Sequence, residues 1–404
     1  MLVYVVLFSE ENPWLQCTLG PCQSLSAWLS QVIPDGEIVT VSYTMSAATT
    51  KQLSSYILGA CLVVTLFYLL SRPGVISPGA PDIGFRKNLS VLPKTPALLP
   101  IKDAKHYCQT RRWEPYPDRD QKRKVYDLFM INTEVDWLEI RLGELATEVD
   151  YFVVLESAVD FKNRPKPLYV WDNWQRFSKW HHQIVHHVLN VTGQEFTDVW
   201  DHEHFSRNAM MDQVFPTLEG PAQVNMGDVI LVSDVDEIPR ADIVKALRNC
   251  MFPQRLTLRT DYYRYSFQWV LREEQWKHPQ ATFWKGDQTV RPESLRMDKQ
   301  DAEIYNAGWH CSSCLASLQD MVNKITSFSH NEFNKPEFTD PKKLLQRVRQ
   351  GKDPYDREIK TYDRIDWNPD VPQYLLKHQE EFAYLLDRDP PSANFKDYKA
   401  ADFE

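Results

Sequence analysis

The chain has 404 residues, 43% of them hydrophobic, which is enough to bury one large core or two and fits a globular enzyme. Its formal net charge of -9 argues against nucleic acid as a partner, because binding a phosphate backbone needs basic surface. Small substrates remain open, and the 13 Trp and 18 Tyr residues supply rings that fill cores and can stack on sugar faces.

The first element in chain order is an uncharged run of 20 residues, 52–71, between Lys51 and Arg72. As a helix it would measure about 30 Å, the thickness of a bilayer's hydrocarbon core, so it reads as a single membrane anchor. Residues 1–51 form the tail before it. Because residues 1–50 hold no Lys or Arg while Arg72, Arg86 and Lys87 follow the anchor, charge does not place the whole tail in the cytoplasm. A chain starting at Met45 would carry a short tail ending in Lys51, so residues 1–44 read as a mispredicted extension. Residues 72–121 read as a stem, since Pro73, Pro78, Pro81, Pro93, Pro96 and Pro100 interrupt regular structure. The sequons at Asn88 and Asn190 are acceptor sites if this part of the chain is lumenal.

Residues 122–404 read as one domain of alternating helices and strands, hence an α/β sheet with helices on both faces. Residues 135–149 carry Leu138, Leu142 and Leu145 at helical spacing, and Tyr151–Leu155 is an apolar strand ending at Glu156. Strands are also expected over 185–191 and 256–270. His181, His182, His186 and His187 offer few convergent ligands, because neighbours on a strand face opposite sides. The most informative run is 228–240, where Val229–Val232 reads as a buried parallel strand that stops at Asp234, Asp236 and Glu237. Open α/β sheets bind ligands at the carboxyl ends of their strands, and two carboxylates one residue apart make an oxygen-rich site for Mn²⁺ or Mg²⁺. The plainer reading is a turn into a helix over 241–250, with Pro239 at a first helical position.

A second cluster lies at Gly308-Trp309-His310-Cys311-Ser312-Ser313-Cys314, before a helix with Leu318, Met321, Val322, Ile325 and Phe328 on one face. His310 is the nitrogen ligand that would complete a site begun by Asp234 and Asp236, a mixed set that suits Mn²⁺. Cys108, Cys250, Cys311 and Cys314 allow three pairings, one of them a local Cys311–Cys314 bridge.

Five ordered blocks resemble glycosyltransferase family 17: Lys124–Glu134; Val154-Leu155-Glu156 with Phe161 and Lys166; Phe205-Ser206-Arg207-Asn208; Ser233–Pro239; and Gly308–Cys311. They run from about residue 122 to 390. The resemblance implies a GT-A-like fold behind a single-pass type II Golgi anchor, with the catalytic domain lumenal. It implies inverting transfer of GlcNAc from UDP-GlcNAc to a mannose-containing N-glycan, with Asp236, Asp234 and His310 holding Mn²⁺ or Mg²⁺. Glu156, Arg207, Asn208, Asp234 and Trp309 are the expected donor contacts. Inversion also needs a base, for which Glu332, Asp287 and Glu293 are candidates, Glu332 first because it follows the His310 block in a polar cluster. The chain departs from the family pattern at Ser313, where an aromatic residue is expected, and between Pro253 and Gly308.

Two other classes fit parts of the pattern. A glycan-binding protein on the same fold would lack turnover. A haloacid-dehalogenase-like phosphatase also ends an apolar strand in Asp-x-Asp, but here the strand lies deep in the domain and Gly286-Asp287 is followed by Arg291 at the matching position.

Overall fold

The computed structural model describes residues 85–87, 93–327, 331–357 and 360–402. The expected anchor at 52–71, with the tail before it, lies outside these residues, as do Asn88, Phe328 and His330. No helix among the described residues is long and apolar enough to cross a membrane.

The described chain from residue 85 onward builds one mixed sheet of 11 strands. These are β1 (Phe85–Lys87), β2 (Val125–Met130), β3 (Tyr151–Glu156), β4 (Ile184–Val188), β5 (Val229–Val232) and β6 (Glu237–Pro239), followed by β7 (Leu256–Arg264), β8 (Ser266–Leu271), β9 (Gln280–Phe283), β10 (Ala302–Ser312) and β11 (Tyr362–Arg364). The main helices are α1 (Ile101–Gln109), α2 (Val135–Leu145), α3 (Val199–Asp212), α4 (Ala241–Asn249), α5 (Pro292–Met297), α6 (Leu318–Ser327) and α7 (Pro341–Gln350).

Strands β4, β3, β2 and β5 lie side by side and parallel. Their apolar runs are buried on both faces because each face meets its own core. Val125 and Phe129 of β2 turn toward α2, with Trp137 and Leu138, whereas Tyr126 and Leu128 turn toward Met210 and Met211 of α3. Each such side chain contributes about 1.5–3 kcal/mol by leaving water. Asp198 starts α3 by accepting hydrogen bonds from the main-chain N–H groups of Trp200 and Asp201. The chain lays β3 and β4 on one side of β2, then crosses to place β5 on the other. Where strand order reverses, the loops at the carboxyl ends diverge and leave a crevice, so the switch point falls between the ends of β2 and β5.

Beyond β5 the sheet continues through β9, β7, β10 and β6. Only β7 and β10 pair in parallel there; β5–β9, β9–β7 and β10–β6 are antiparallel. Gly308 is required where β6 crosses close to β10, because a Cβ there would stand 2.2 Å from the Ile238 carbonyl oxygen.

Three expectations change. The segment read as one strand over 256–270 is two, β7 and β8, turning at Tyr265 with φ of +66°, a left-handed residue without the glycine that usually marks one. Pro239 does not start a helix but closes the short strand β6, and α4 begins at Ala241. Residues 101–109, inside the stretch read as stem, form α1 with Ala104 and Cys108 buried, and Cys108 is bonded to Cys250. The other two cysteines among the described residues pair as Cys311–Cys314.

Candidate functional site

The turn 233–237 leaves β5 at the switch point and is held from two sides. From below, Arg141 of α2 forms a fully buried ion pair with Asp127 of β2, at 2.6 Å. The same guanidinium donates to the carbonyl oxygens of Asp234 (2.9 Å) and Glu237 (2.8 Å) and to Ser233 Oγ (2.6 Å). From the side, Arg296 of α5 donates to Asp234 Oδ2 at 2.6 Å and to both carboxylate oxygens of Glu237. Glu237 is fully buried and also accepts from the Asp234 N–H and from Trp276 Nε1. Burial alone would raise its pKa, but the Arg296 guanidinium holds this carboxyl below the ordinary range. Glu237 is therefore a structural acid that braces the turn.

Asp236 points the other way. Its Oδ1 lies 3.8 Å from His310 Nε2, and its Oδ2 lies 3.2 Å from Lys324 Nζ of α6, which also reaches Glu134 at 3.2 Å. His310 follows from the pairing of β10 with β6, which sets it opposite Glu237. The rings of Tyr262 and Trp276 lie 4.8 Å from its imidazole, and burial lowers its pKa, so the neutral form dominates. Its Nδ1 is buried without a hydrogen-bond partner. The Cys311–Cys314 bridge fixes the chain just beyond.

These groups lie on the wall of a cavity of about 690 Å³. One end, beyond β2 and β3, is lined by Ile131, Asn132, Leu155 and Phe161; the other by Tyr262, Arg264, Trp276, Tyr355 and Tyr362. A volume of this order accommodates a drug-sized ligand.

Of the residues singled out in the sequence, Asp234, Asp236, His310, Glu156 and Glu332 line the cavity. Glu156 does so with its carboxylate already accepting from the N–H groups of Val170 and Trp171 and facing His186 Nε2 at 3.0 Å, so it anchors the loop after β3. Arg207, Asn208, Glu293, Asp287 and Trp309 are not on the cavity wall. Arg207 pairs with Glu203 and Glu293, and Asn208 accepts from the Glu293 N–H, so together they dock α5 onto α3. Asp287 is exposed on the loop after β9. Trp309 occupies the opposite face of β10 from His310, under the Arg240 guanidinium and donating to Asp370 at 3.2 Å. Of the histidines at 181–187, His186 and His187 lie on β4 and diverge as strand alternation requires, onto Glu156 and Gln213, while His181 precedes the strand and stacks on Trp174.

Asp234, Asp236 and His310 do not converge as a trio, because Arg296 draws the Asp234 carboxylate aside; among the described residues no three His, Cys, Asp or Glu side chains form a metal-sized cluster. Asp236 with His310 does fit a divalent ion as a two-residue set. It offers one carboxylate and one neutral, hydrogen-bond-poor imidazole, leaving other positions to a ligand. Sequence reasoning missed Arg296 and Lys324, whose pairing partners lie 59–62 and 88 residues away. It also missed Trp276, whose only signal was aromatic character.

Residues 99–390 match the model of the family described as glycosyltransferase family 17. The chain is 25% identical to proteins named β-1,4-mannosyl-glycoprotein 4-β-N-acetylglucosaminyltransferase from Rattus norvegicus, across 68% of this chain and 57% of the relative, and from Homo sapiens, across 67% and 56%. The Mus musculus protein of the same name is equally similar, so this chain spans little more than half the length of the curated relatives it matches. No solved structure matches.

Proposed function

The chain belongs to glycosyltransferase family 17, and on that premise we propose that its cavity binds a UDP-sugar, most simply UDP-GlcNAc, and transfers the sugar to a mannose-containing N-glycan with inversion. Family membership favours a transferase over the phosphatase, and turnover of the donor is what separates it from a non-catalytic binder on the same fold. The observation that carries the donor reading is the position of Asp236 and His310 at the switch point of a parallel sheet, beside a long crevice. The domain reads as GT-A-like for the same reason.

In this reading the nucleoside enters the end lined by Ile131, Asn132 and Phe161, and its diphosphate extends toward Asp236. Asp236 and His310 would hold Mn²⁺ or Mg²⁺, which supplies Lewis-acid charge to the phosphates when bound. Asp234, half exposed and tethered by Arg296, is positioned for the ribose rather than the ion. As the acceptor hydroxyl oxygen attacks the anomeric carbon, the bond to the diphosphate breaks, UDP leaves, and a carboxylate takes the hydroxyl proton. Of the three base candidates only Glu332 lines the cavity, which favours it over Asp287 and Glu293. Trp276 and Tyr262 line the same cavity and would supply rings on which the sugars can stack.

We also propose a lumenal Golgi location behind the 52–71 anchor. It is supported by the pairing of all four cysteines among the described residues, as an oxidising compartment favours, and by the exposed sequon residue Asn190. The test is to incubate the full chain with a panel of UDP-sugars and a mannose-containing N-glycan, with and without Mn²⁺, and to measure released UDP. Release confined to UDP-GlcNAc, dependent on the cation and absent in Asp236→Asn, is expected; no release with any UDP-sugar would reject the reading.

A further inference from the structure

Arg264, at the end of β7, is a charged group on the cavity wall with no counter-ion among the described residues. It is 5% exposed. Its guanidinium donates to Ser312 Oγ at 2.9 Å, Ser313 Oγ at 3.2 Å, Tyr362 OH at 3.4 Å and the Tyr262 hydroxyl. All four partners are neutral hydroxyls, and among the described residues no carboxylate lies within ion-pair distance. Other buried guanidinium groups are treated differently. Arg141, Arg248 and Arg296 meet carboxylates, while Arg123 and Arg388 are ringed by main-chain carbonyls. Of these six, only Arg264 lines the cavity. A guanidinium keeps its charge in any protein site, and an unpaired buried charge is costly unless a ligand completes it.

Of the other basic groups on the cavity wall, Lys324 is cancelled by Asp236 and Glu134 and Arg357 by Asp353, while Lys166, Lys277 and Lys360 are more exposed to water than Arg264, so none of them is a buried charge awaiting a partner. Position narrows the ligand further. In the parallel pairing of β7 with β10, Tyr262 stands opposite His310 and Arg264 opposite Ser312, so Arg264 lies one step beyond His310 on the same face. Tyr262 joins the two, its ring against the imidazole and its hydroxyl against the guanidinium. An anion reaching from the nucleoside end past Asp236 and His310 would meet Arg264 with its far oxygens.

We propose that Arg264 is a catalytic residue that binds the sugar-bearing phosphate of the nucleotide donor and neutralises it as it leaves. The inference rests on the donor reading above. A fixed, desolvated guanidinium aimed at the departing oxygen stabilises the charge that grows there without reorganising, which is where such a group contributes most. The hydroxyls around it hold the fork in place while leaving its charge for the ligand.

Calorimetric titration of the full chain in Mg²⁺ buffer tests this, with inorganic pyrophosphate, UDP and uridine as probes. Arg264→Gln, which keeps donors for the hydroxyls but removes the charge, should weaken pyrophosphate and UDP about tenfold or more while leaving uridine unchanged. Arg264→Lys should retain most of the affinity. Arg264→Met should bind like the Gln variant and melt no lower than the parent, since it removes an unpaired buried charge. Unchanged UDP and pyrophosphate affinity in a folded Gln or Met variant would overturn the assignment while leaving the donor reading intact. So would no pyrophosphate binding by the parent. If the parent bound pyrophosphate but not UDP, and Arg264→Gln lost it, the anion site would stand and the UDP reading would fall.

Discussion

Replacing Arg141 with methionine would remove the one cation that, among the described residues, pairs with the fully buried Asp127 carboxylate. Breaking a buried pair from one side costs about 3–5 kcal/mol, because the remaining ion has neither water nor partner. Three further acceptors, the carbonyls of Asp234 and Glu237 and the hydroxyl of Ser233, would lose a donor at about 1–3 kcal/mol for each left unsatisfied, partly offset by relaxation of the turn. Against a typical total of about 5–15 kcal/mol, Arg141→Met alone should leave the domain marginal. Adding Asp127→Asn removes the stranded charge and should recover at least about 2 kcal/mol, leaving a deficit that belongs to the turn. Urea unfolding of the parent, both single variants and the double variant measures this as shifts in midpoint at constant slope. UDP release should remain depressed in the double variant even where it is folded, because the turn carrying Asp236 has lost its lower brace. A single variant within about 1 kcal/mol of the parent, or additive single effects, would refute the claim that this ion pair organises the acid turn.

Asp236→Asn should abolish UDP release and change the unfolding midpoint little, because Lys324 keeps Glu134 as a partner; a variant with parental turnover would remove Asp236 from the site. Glu332→Gln should retain donor binding by calorimetry while losing transfer, and full turnover would eliminate it as the base. Serine at Cys108 or Cys250 opens a loop of 142 residues, for which chain entropy predicts up to about 5 kcal/mol of lost stability, read as a lower unfolding midpoint than the non-reduced parent. Burial would raise the Asp136 carboxyl, but Arg176 and Lys396 outweigh it and hold the pKa below its ordinary value. A depressed carboxyl contributes stability above its unfolded pKa of about 3.9 and loses it as pH falls toward the folded one, so Asp136→Asn should flatten the acid limb of the stability curve below about pH 4. Parallel curves for parent and variant would count against that pairing.

The parallel half of the sheet was legible because its strands are buried on both faces and write continuous apolar runs, and the strand before Asp234 could be placed together with the end that opens on the cavity. Side-chain direction was only half legible. Strand alternation separates Trp309 from His310 and could have been applied there, as it was to the histidines at 181–187. What stayed hidden were cations that reach across the fold. Arg296 sits in a six-residue helix and Lys324 on an otherwise amphipathic one, and nothing local to either says that its partner is an acid of the 233–237 turn. The Tyr265 turn was invisible for a different reason: tertiary contacts, including its hydroxyl on the Lys352 carbonyl, impose a left-handed backbone on a residue type that does not favour it.

The Cys108–Cys250 bridge has a mechanical consequence. It fastens α1 to the end of α4, and Arg123 beside it grips the carbonyls of Gly227, Leu247 and Cys250 at the starting ends of β2 and β5. The cavity opens at the opposite ends of those strands. A pull on the chain upstream of α1 would meet the pairing of β1 with β4 and then this covalent clamp at the base of the sheet. Load borne by these ties is taken up away from the turn that carries Asp236.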